Sequence, residues 1–86
     1  MSQMQKLLAS ILSGVQDANV KFSDLQKLLL FFGFRERIRG DHFIYTKMDI
    51  AEKINIQPLG SQAKPYQVKQ VRNIILKYRL GDDANV

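Results

Sequence analysis

The 86-residue chain carries 13 Lys and Arg against 8 Asp and Glu, one His and no Cys, a size that allows one small domain burying about 60 to 65 per cent of its unfolded surface. The lack of cysteine excludes a disulfide framework, a thiolate zinc centre and a cysteine nucleophile, and no run approaches the roughly 20 apolar residues of a membrane span. The formal charge of +5 sets up a field that suits nucleic acid or an acidic protein, ordinary solubility charge being the alternative.

Met4, Leu7, Leu8, Ile11, Leu12 and Val15 recur at steps of three and four, which predicts an amphipathic helix over residues 3–13 closed by Gly14. Apolar residues spaced in this way do not make the unbroken hydrophobic region of a secretory signal, so the expected compartment is the cytoplasm. Asp17, Ala18 and Asn19 read as a polar linker, and Ser23-Asp24-Leu25-Gln26 has the form of a capping box that starts a second helix. Leu25, Leu28, Leu29 and Phe32 supply its buried stripe, Leu30 and Phe31 widen it, and Gly33 stops it.

Beyond Gly33 the period becomes two. Phe34 and Ile38 alternate with Arg35, Arg37 and Arg39, Gly40-Asp41 offers a two-residue turn, and His42 to Thr46 is rich in strand formers, so this stretch predicts a β-hairpin. Lys47 to Glu52 reads as a loop, Lys53 to Gln57 as a third strand and Pro58 to Gln62 as a second loop. Pro65 suits the first turn of a last helix over 65–79, with Val68, Val71, Ile74, Ile75 and Tyr78 inward and Lys69, Arg72, Asn73 and Lys77 outward. From Gly81 the tail is expected to fray. The expected fold is α+β in the order ααβββα, a single domain over 1–86 with helices packed on one face of a three-stranded antiparallel sheet.

The inventory of reactive groups is short. No pair of carboxylates forms an acid/base motif, no Gly-rich phosphate loop opens a helix, and a single His without a neighbouring ligand argues against a metal centre. A two-residue turn pairs Arg39 with His42 and places Arg35, Arg37 and Arg39 on the same face as the imidazole, with Lys53, Asn55 and Gln57 extending that polar surface. The same register exposes Ile44 and turns Glu36 toward the core. Two readings of His42 stand at this point: a strand-end surface residue, or a general acid or base. Imidazole, with an ordinary pKa of about 6.5, offers both protonation states in the cell, and neighbouring cations would stabilise a phosphorane. Asp41 is either a turn residue or an acid that keeps the imidazolium charged. Phe43 and Tyr45 are either core or a base-stacking platform. Lys64 and Tyr66, flanking Pro65, are placed to meet phosphate, although Tyr66 could equally be packed.

Several blocks share an order and spacing: Lys21-Phe22-Ser23-Asp24-Leu25, Phe32-Gly33-Phe34, Gly40 to Tyr45, Ile54-Asn55-Ile56-Gln57-Pro58, and Ala63-Lys64-Pro65-Tyr66-Gln67-Val68-Lys69-Gln70-Val71. Together they resemble the HicA family of bacterial toxins over about residues 20–80, leaving helix 3–13 as an addition that supplies apolar burial or antitoxin contacts. The resemblance implies a fold like that of a double-stranded RNA-binding domain. It also implies an mRNA interferase needing no cofactor and neutralised by a HicB-type antitoxin that covers the catalytic histidine. His42 matches that histidine and Gly40 the turn glycine; Arg35, Arg37, Arg39 and Lys64 are the candidate phosphate contacts. Two positions depart from the family pattern: Asp41 replaces the commoner serine, and Phe43 stands where many members carry a second histidine.

Overall fold

The computed structural model describes residues 2–83. The apolar stripe near the N-terminus becomes α1 (Gln3–Ser13), which buries Leu8 and Ile11. Its start carries a capping box that the sequence reading places elsewhere: Ser2 Oγ accepts from the Gln5 N–H (3.0 Å), and the Ser2 N–H donates to Gln5 Oε1 (3.2 Å). Gly14, at φ +76°, closes the helix in the left-handed conformation. Val15 therefore lies past the end of the stripe and is 77% exposed. Asp17–Asn19 forms one 3₁₀ turn where a linker is expected.

α2 (Phe22–Phe31) starts one residue ahead of Ser23, and Lys21 at its N-cap makes no side-chain cap bond. The Ser23–Gln26 box does not form because long-range backbone pairing sets this boundary. Phe22 N–H donates to the Ser61 carbonyl (3.0 Å) and Ala63 N–H to that of Val20 (2.9 Å). Phe22, Leu25, Leu28 and Leu29 are buried, whereas Leu30 and Phe31 stay exposed outside the stripe.

β1 (Arg35–Arg39), β2 (His42–Lys47) and β3 (Ile50–Ile56) form an antiparallel sheet in that order. Arg39 pairs with His42, Arg37 with Ile44 and Arg35 with Thr46, the register expected from a two-residue turn at Gly40-Asp41. The loop predicted over Lys47 to Glu52 shrinks to Met48-Asp49, with Asp49 at φ +77°, and strand continues on both sides. A register shift between Tyr45 and Lys47 absorbs the irregular spacing that hides this strand end from a period-two reading. The predicted 58–62 loop is a second small hairpin, β4 (Pro58–Leu59) with β5 (Gln62–Ala63).

The inner sheet face places Tyr45, Ile54 and Ile56 in one apolar cluster with Leu8, Ile11, Leu25, Val68 and Ile75 from the three helices. Glu36 lies on this face, and the buried Tyr45 hydroxyl donates to its Oε2, so the unfavourable patterning is resolved by a hydrogen bond. Burial, and then the Glu36 contact, push the Tyr45 hydroxyl above its ordinary pKa range. Ile38 shares this face but is 55% exposed, because β1 is the outer strand and all five of its residues stay open to solvent.

α3 (Pro65–Lys77) has Pro65 in its first turn and buries Val68, Val71, Ile74 and Ile75 as expected. It ends two residues early, and Leu80–Asp83 turns back as a 3₁₀ segment with Gly81 against Ile75, Leu12 and Leu8, so fraying does not begin at Gly81. Residues 84–86 of the expected frayed tail lie outside the described residues. Arg72 does not face outward: its guanidinium reaches Asp17 Oδ1 (2.8 Å) and the Ile11 carbonyl (3.2 Å). Among the described residues no helix is long and apolar enough to cross a membrane.

Glu52 on β3 accepts from Lys77 Nζ (2.7 Å) and from the Tyr78 hydroxyl. These bonds, Lys77 first, lower its carboxyl from the ordinary 4.5 to about 2. A carboxylate with a depressed folded pKa adds stability that is fully present above its unfolded pKa and is lost as pH falls through the folded value. Thermal melts of the native chain and Glu52→Gln are therefore expected to differ above pH 4.5 and to converge as pH approaches 2. A gap that persists unchanged across that window would remove this linkage.

Candidate active site

The turn conformation at Gly40, φ +60°, brings β1 back along β2 and sets His42 at the first position of its strand. An added Cβ there would meet nothing within 4 Å, so the requirement for glycine is backbone conformation and not space. Alternation places Arg35, Arg37, Arg39, His42, Ile44 and Thr46 on the outer sheet face, and Ile44 opposite Asn55 adds Asn55 and Lys53 to it.

A shallow groove of about 290 Å³ runs over this face, lined by Arg37, Arg39, Ile44, Thr46 and Lys53. Three cations thus border Ile44 and Thr46, and Arg39 connects the groove to its cross-strand neighbour His42. Arg35 is separated from them and lines a different groove with Gly33, Thr46, Lys47 and Met48. At about 3.3 Å per residue, Arg35 opposite Thr46 sits roughly 13 Å along the strand from His42, too far to share one phosphate with it. Of the three arginines, Arg39 is the direct cross-strand neighbour.

The imidazole is about half exposed and touches three side chains. Its Nδ1 lies 3.2 Å from Asn55 Oδ1, its Nε2 3.4 Å from Gln57 Nε2, and Asp41 Oδ1 stands 3.7 Å from Nε2. Gln57 also donates to Asp41 Oδ2 (3.2 Å) and accepts from Lys64 Nζ (3.4 Å). Lys64, at the N-cap of α3, thereby joins the His42 cluster although 22 residues separate them in sequence. Asn55 and Gln57 are the residues that the sequence reading places on the surface without a role. Their signal is the alternation of β3, which sets every second residue on the side of His42.

The other candidates resolve differently. Phe43 is half-buried with its ring edge-to-face against Phe22 (5.0 Å) and Tyr45 is fully buried, so on the face opposite His42 both pack with the core. Tyr66 is exposed. No group of three or more His, Cys, Asp or Glu side chains with metal-holding geometry gathers among the described residues. The site can offer one imidazole for proton transfer, an ammonium, guanidinium groups and amide donors, a set suited to a phosphodiester.

No protein-family model matches the chain, and neither a curated protein nor a solved structure matches it.

Proposed function

We propose that the chain is a metal-independent endoribonuclease toxin of the HicA kind, folded like a double-stranded RNA-binding domain, in which His42 moves the proton. The observation that carries the reading is the pairing of the sole histidine with Arg39, which lines the cationic groove, and its link through Gln57 to Lys64. In the reaction the ribose 2′-oxygen attacks the adjacent phosphorus and the bond to the 5′-oxygen breaks. The products are a 2′,3′-cyclic phosphate and a 5′-hydroxyl. His42 takes the 2′-proton as base or delivers one to the leaving oxygen as acid, and Lys64 with Arg39 offsets charge on the phosphorane. Arg37 and Lys53 hold flanking phosphates, and Arg35 extends the track at its far end.

An mRNA substrate implies action in the cytoplasm. It also implies a partner that restrains the activity, and a HicB-type antitoxin covering the half-exposed His42 would do so. Induced expression of the native chain beside His42→Ala in a bacterial host tests the toxin reading. Growth arrest and RNA loss with the native chain alone support it; equal growth of both strains, with both proteins folded, contradicts it.

A second reading is a non-catalytic RNA-binding module, favoured by the groove of Arg37, Arg39 and Lys53, which can bind phosphate without His42. RNA bound but left intact by the native chain would select it. Under either reading, replacing these three cations by alanine is expected to flatten the log affinity against log salt plot by about 2, at roughly 0.7 per single-strand phosphate. An unchanged slope would place the RNA elsewhere. Asp41 sets a negative charge beside His42, and Asp41→Asn is expected to tighten RNA binding about fivefold, the equivalent of about 1 kcal/mol for a charge at 4 Å in water. Weaker binding would give the carboxylate a supporting role instead.

A further inference from the structure

Gln67 on α3 is 1% exposed, the one polar side chain in a set of buried residues that is otherwise apolar among those described. Oriented to satisfy both neighbours, its amide donates to the Gln57 carbonyl (3.1 Å) and accepts from the Gln57 N–H (2.9 Å). It therefore pairs with the chain just past β3 as another strand would. A buried amide satisfied in both directions fixes backbone position, because moving away leaves two buried polar groups unpaired.

The side chain of Gln57 is held as firmly at its other end. Lys64 Nζ can only donate, so the amide oxygen faces it (3.4 Å). The amide nitrogen then has two protons, one for Asp41 Oδ2 (3.2 Å) and one directed at His42 Nε2 (3.4 Å). A ring nitrogen facing an N–H must accept. That leaves the imidazole proton on Nδ1, where Asn55 Oδ1 receives it (3.2 Å). These amide contacts agree on one arrangement, and Asp41 Oδ1, 3.7 Å from Nε2, stands beyond hydrogen-bond distance of it.

We infer that Gln57 and Gln67 are positioning residues that hold neutral His42 as its Nδ1–H tautomer, with the Nε2 lone pair on the side of Asp41 and Lys64. The inference rests on the ribonuclease reading for its consequence: a 2′-hydroxyl that takes the place of the Gln57 N–H meets an Nε2 lone pair, the form in which His42 serves as base. Gln67 sets the place of Gln57, Lys64 its rotation, and Gln57 the proton of His42. A fixed tautomer is worth a large factor in catalysis: a histidine locked in the wrong one costs about 10⁴ in serine proteases, and in a small RNA site with one imidazole it bears on the whole proton transfer.

Because the chain has a single histidine, ¹⁵N–¹H correlation of its ring reads the tautomer without assignment ambiguity. On folded protein at a pH where the ring is neutral, the native chain is expected to show the proton on Nδ1. Gln57→Glu keeps the backbone contacts to Gln67 but presents only acceptors, and is expected to move the proton to Nε2 and lower kcat by about 10-fold or more, beyond the roughly fivefold rise in KM that its added charge brings. Gln67→Leu is expected to yield a mixture of tautomers; Gln57→Glu carries the test if that variant does not fold. A native ring protonated on Nε2, or an unchanged ring pattern in Gln57→Glu, overturns the inference. RNA left intact by a native chain with the expected ring pattern retains the positioning roles and removes only the ribonuclease reading.

Discussion

His42→Ala is expected to reduce RNA cleavage by about 10² to 10⁴, the usual worth of a positioned general acid or base, while leaving the fold intact. The two effects separate because of where the residue sits. His42 is half exposed at the head of β2, and its contacts with Asn55, Gln57 and Asp41 are all made on the outer sheet face. Substitutions at such positions change stability by about 0.5 kcal/mol or less. Cleavage kinetics alongside thermal melting check the expectation. A variant that keeps its melting temperature and loses only cleavage assigns His42 to the chemistry, whereas equal cleavage by both folded proteins removes it.

Arg72→Met is expected to have the opposite profile. The Arg72 side chain is 15% exposed and that of its partner Asp17 23%, so the pair is largely withdrawn from solvent. The guanidinium also meets the Ile11 carbonyl near the C-terminus of α1, where unpaired carbonyls and the helix dipole favour a cation, and it lies against Gly14. Removing it leaves the Asp17 carboxylate without this donor and the Ile11 carbonyl with the Gly14 N–H alone (3.3 Å). A cost of about 2 to 3 kcal/mol follows from breaking such a pair when it is mostly but not fully buried, equivalent to a fall of roughly 10 to 20 °C in melting temperature for a domain of this size. Denaturant unfolding of Arg72→Met, Asp17→Asn and the double variant measures the coupling directly. A loss under 0.5 kcal/mol for Arg72→Met would show that the contact adds nothing to the docking of α1.

Arg72 also illustrates where sequence legibility ends. Its position on α3 sits beside the apolar stripe, and helical periodicity assigns any charge there to solvent; only the arrival of α1 and Asp17, more than 50 residues away in sequence, turns the site inward. The same applies to Ser23. Its spacing from Gln26 matches a capping box, but the pairing of residues 20–22 with 61–63 carries the helix start forward. Strong periodicity is more informative: α2 and α3 bury most of the residues that recur at three and four, α1 buries Leu8 and Ile11 with Met4, Leu7 and Leu12 packed beside them, and the register of β1 to β3 follows the alternation of their sequences. Where the period is broken by a bulge, as between Tyr45 and Lys47, the strand end was not legible.

The candidate site divides along the same line. The pairing of Arg39 with His42 follows from the length of one turn, so the shared face of Arg37, Arg39 and the imidazole could be read in advance. The distance of Arg35 from His42 follows from the same register and removes it from the immediate surroundings of the imidazole. Lys64 reaches the cluster only through tertiary contact with Gln57. Gln67 carries no sequence signal of its role, because nothing in the sequence separates it from Gln70 and Asn73 on the same helix until the chain just past β3 is placed against it.

The most direct test of the account is the chemistry of the RNA ends. Purified native chain is incubated with a defined single-stranded RNA in the presence of a metal chelator, beside folded His42→Ala, and the products are identified by mass spectrometry. Fragments ending in a 2′,3′-cyclic phosphate and a 5′-hydroxyl are expected with the native chain, and intact RNA with the variant. Intact RNA in both reactions, or the same fragments from both proteins, would contradict it.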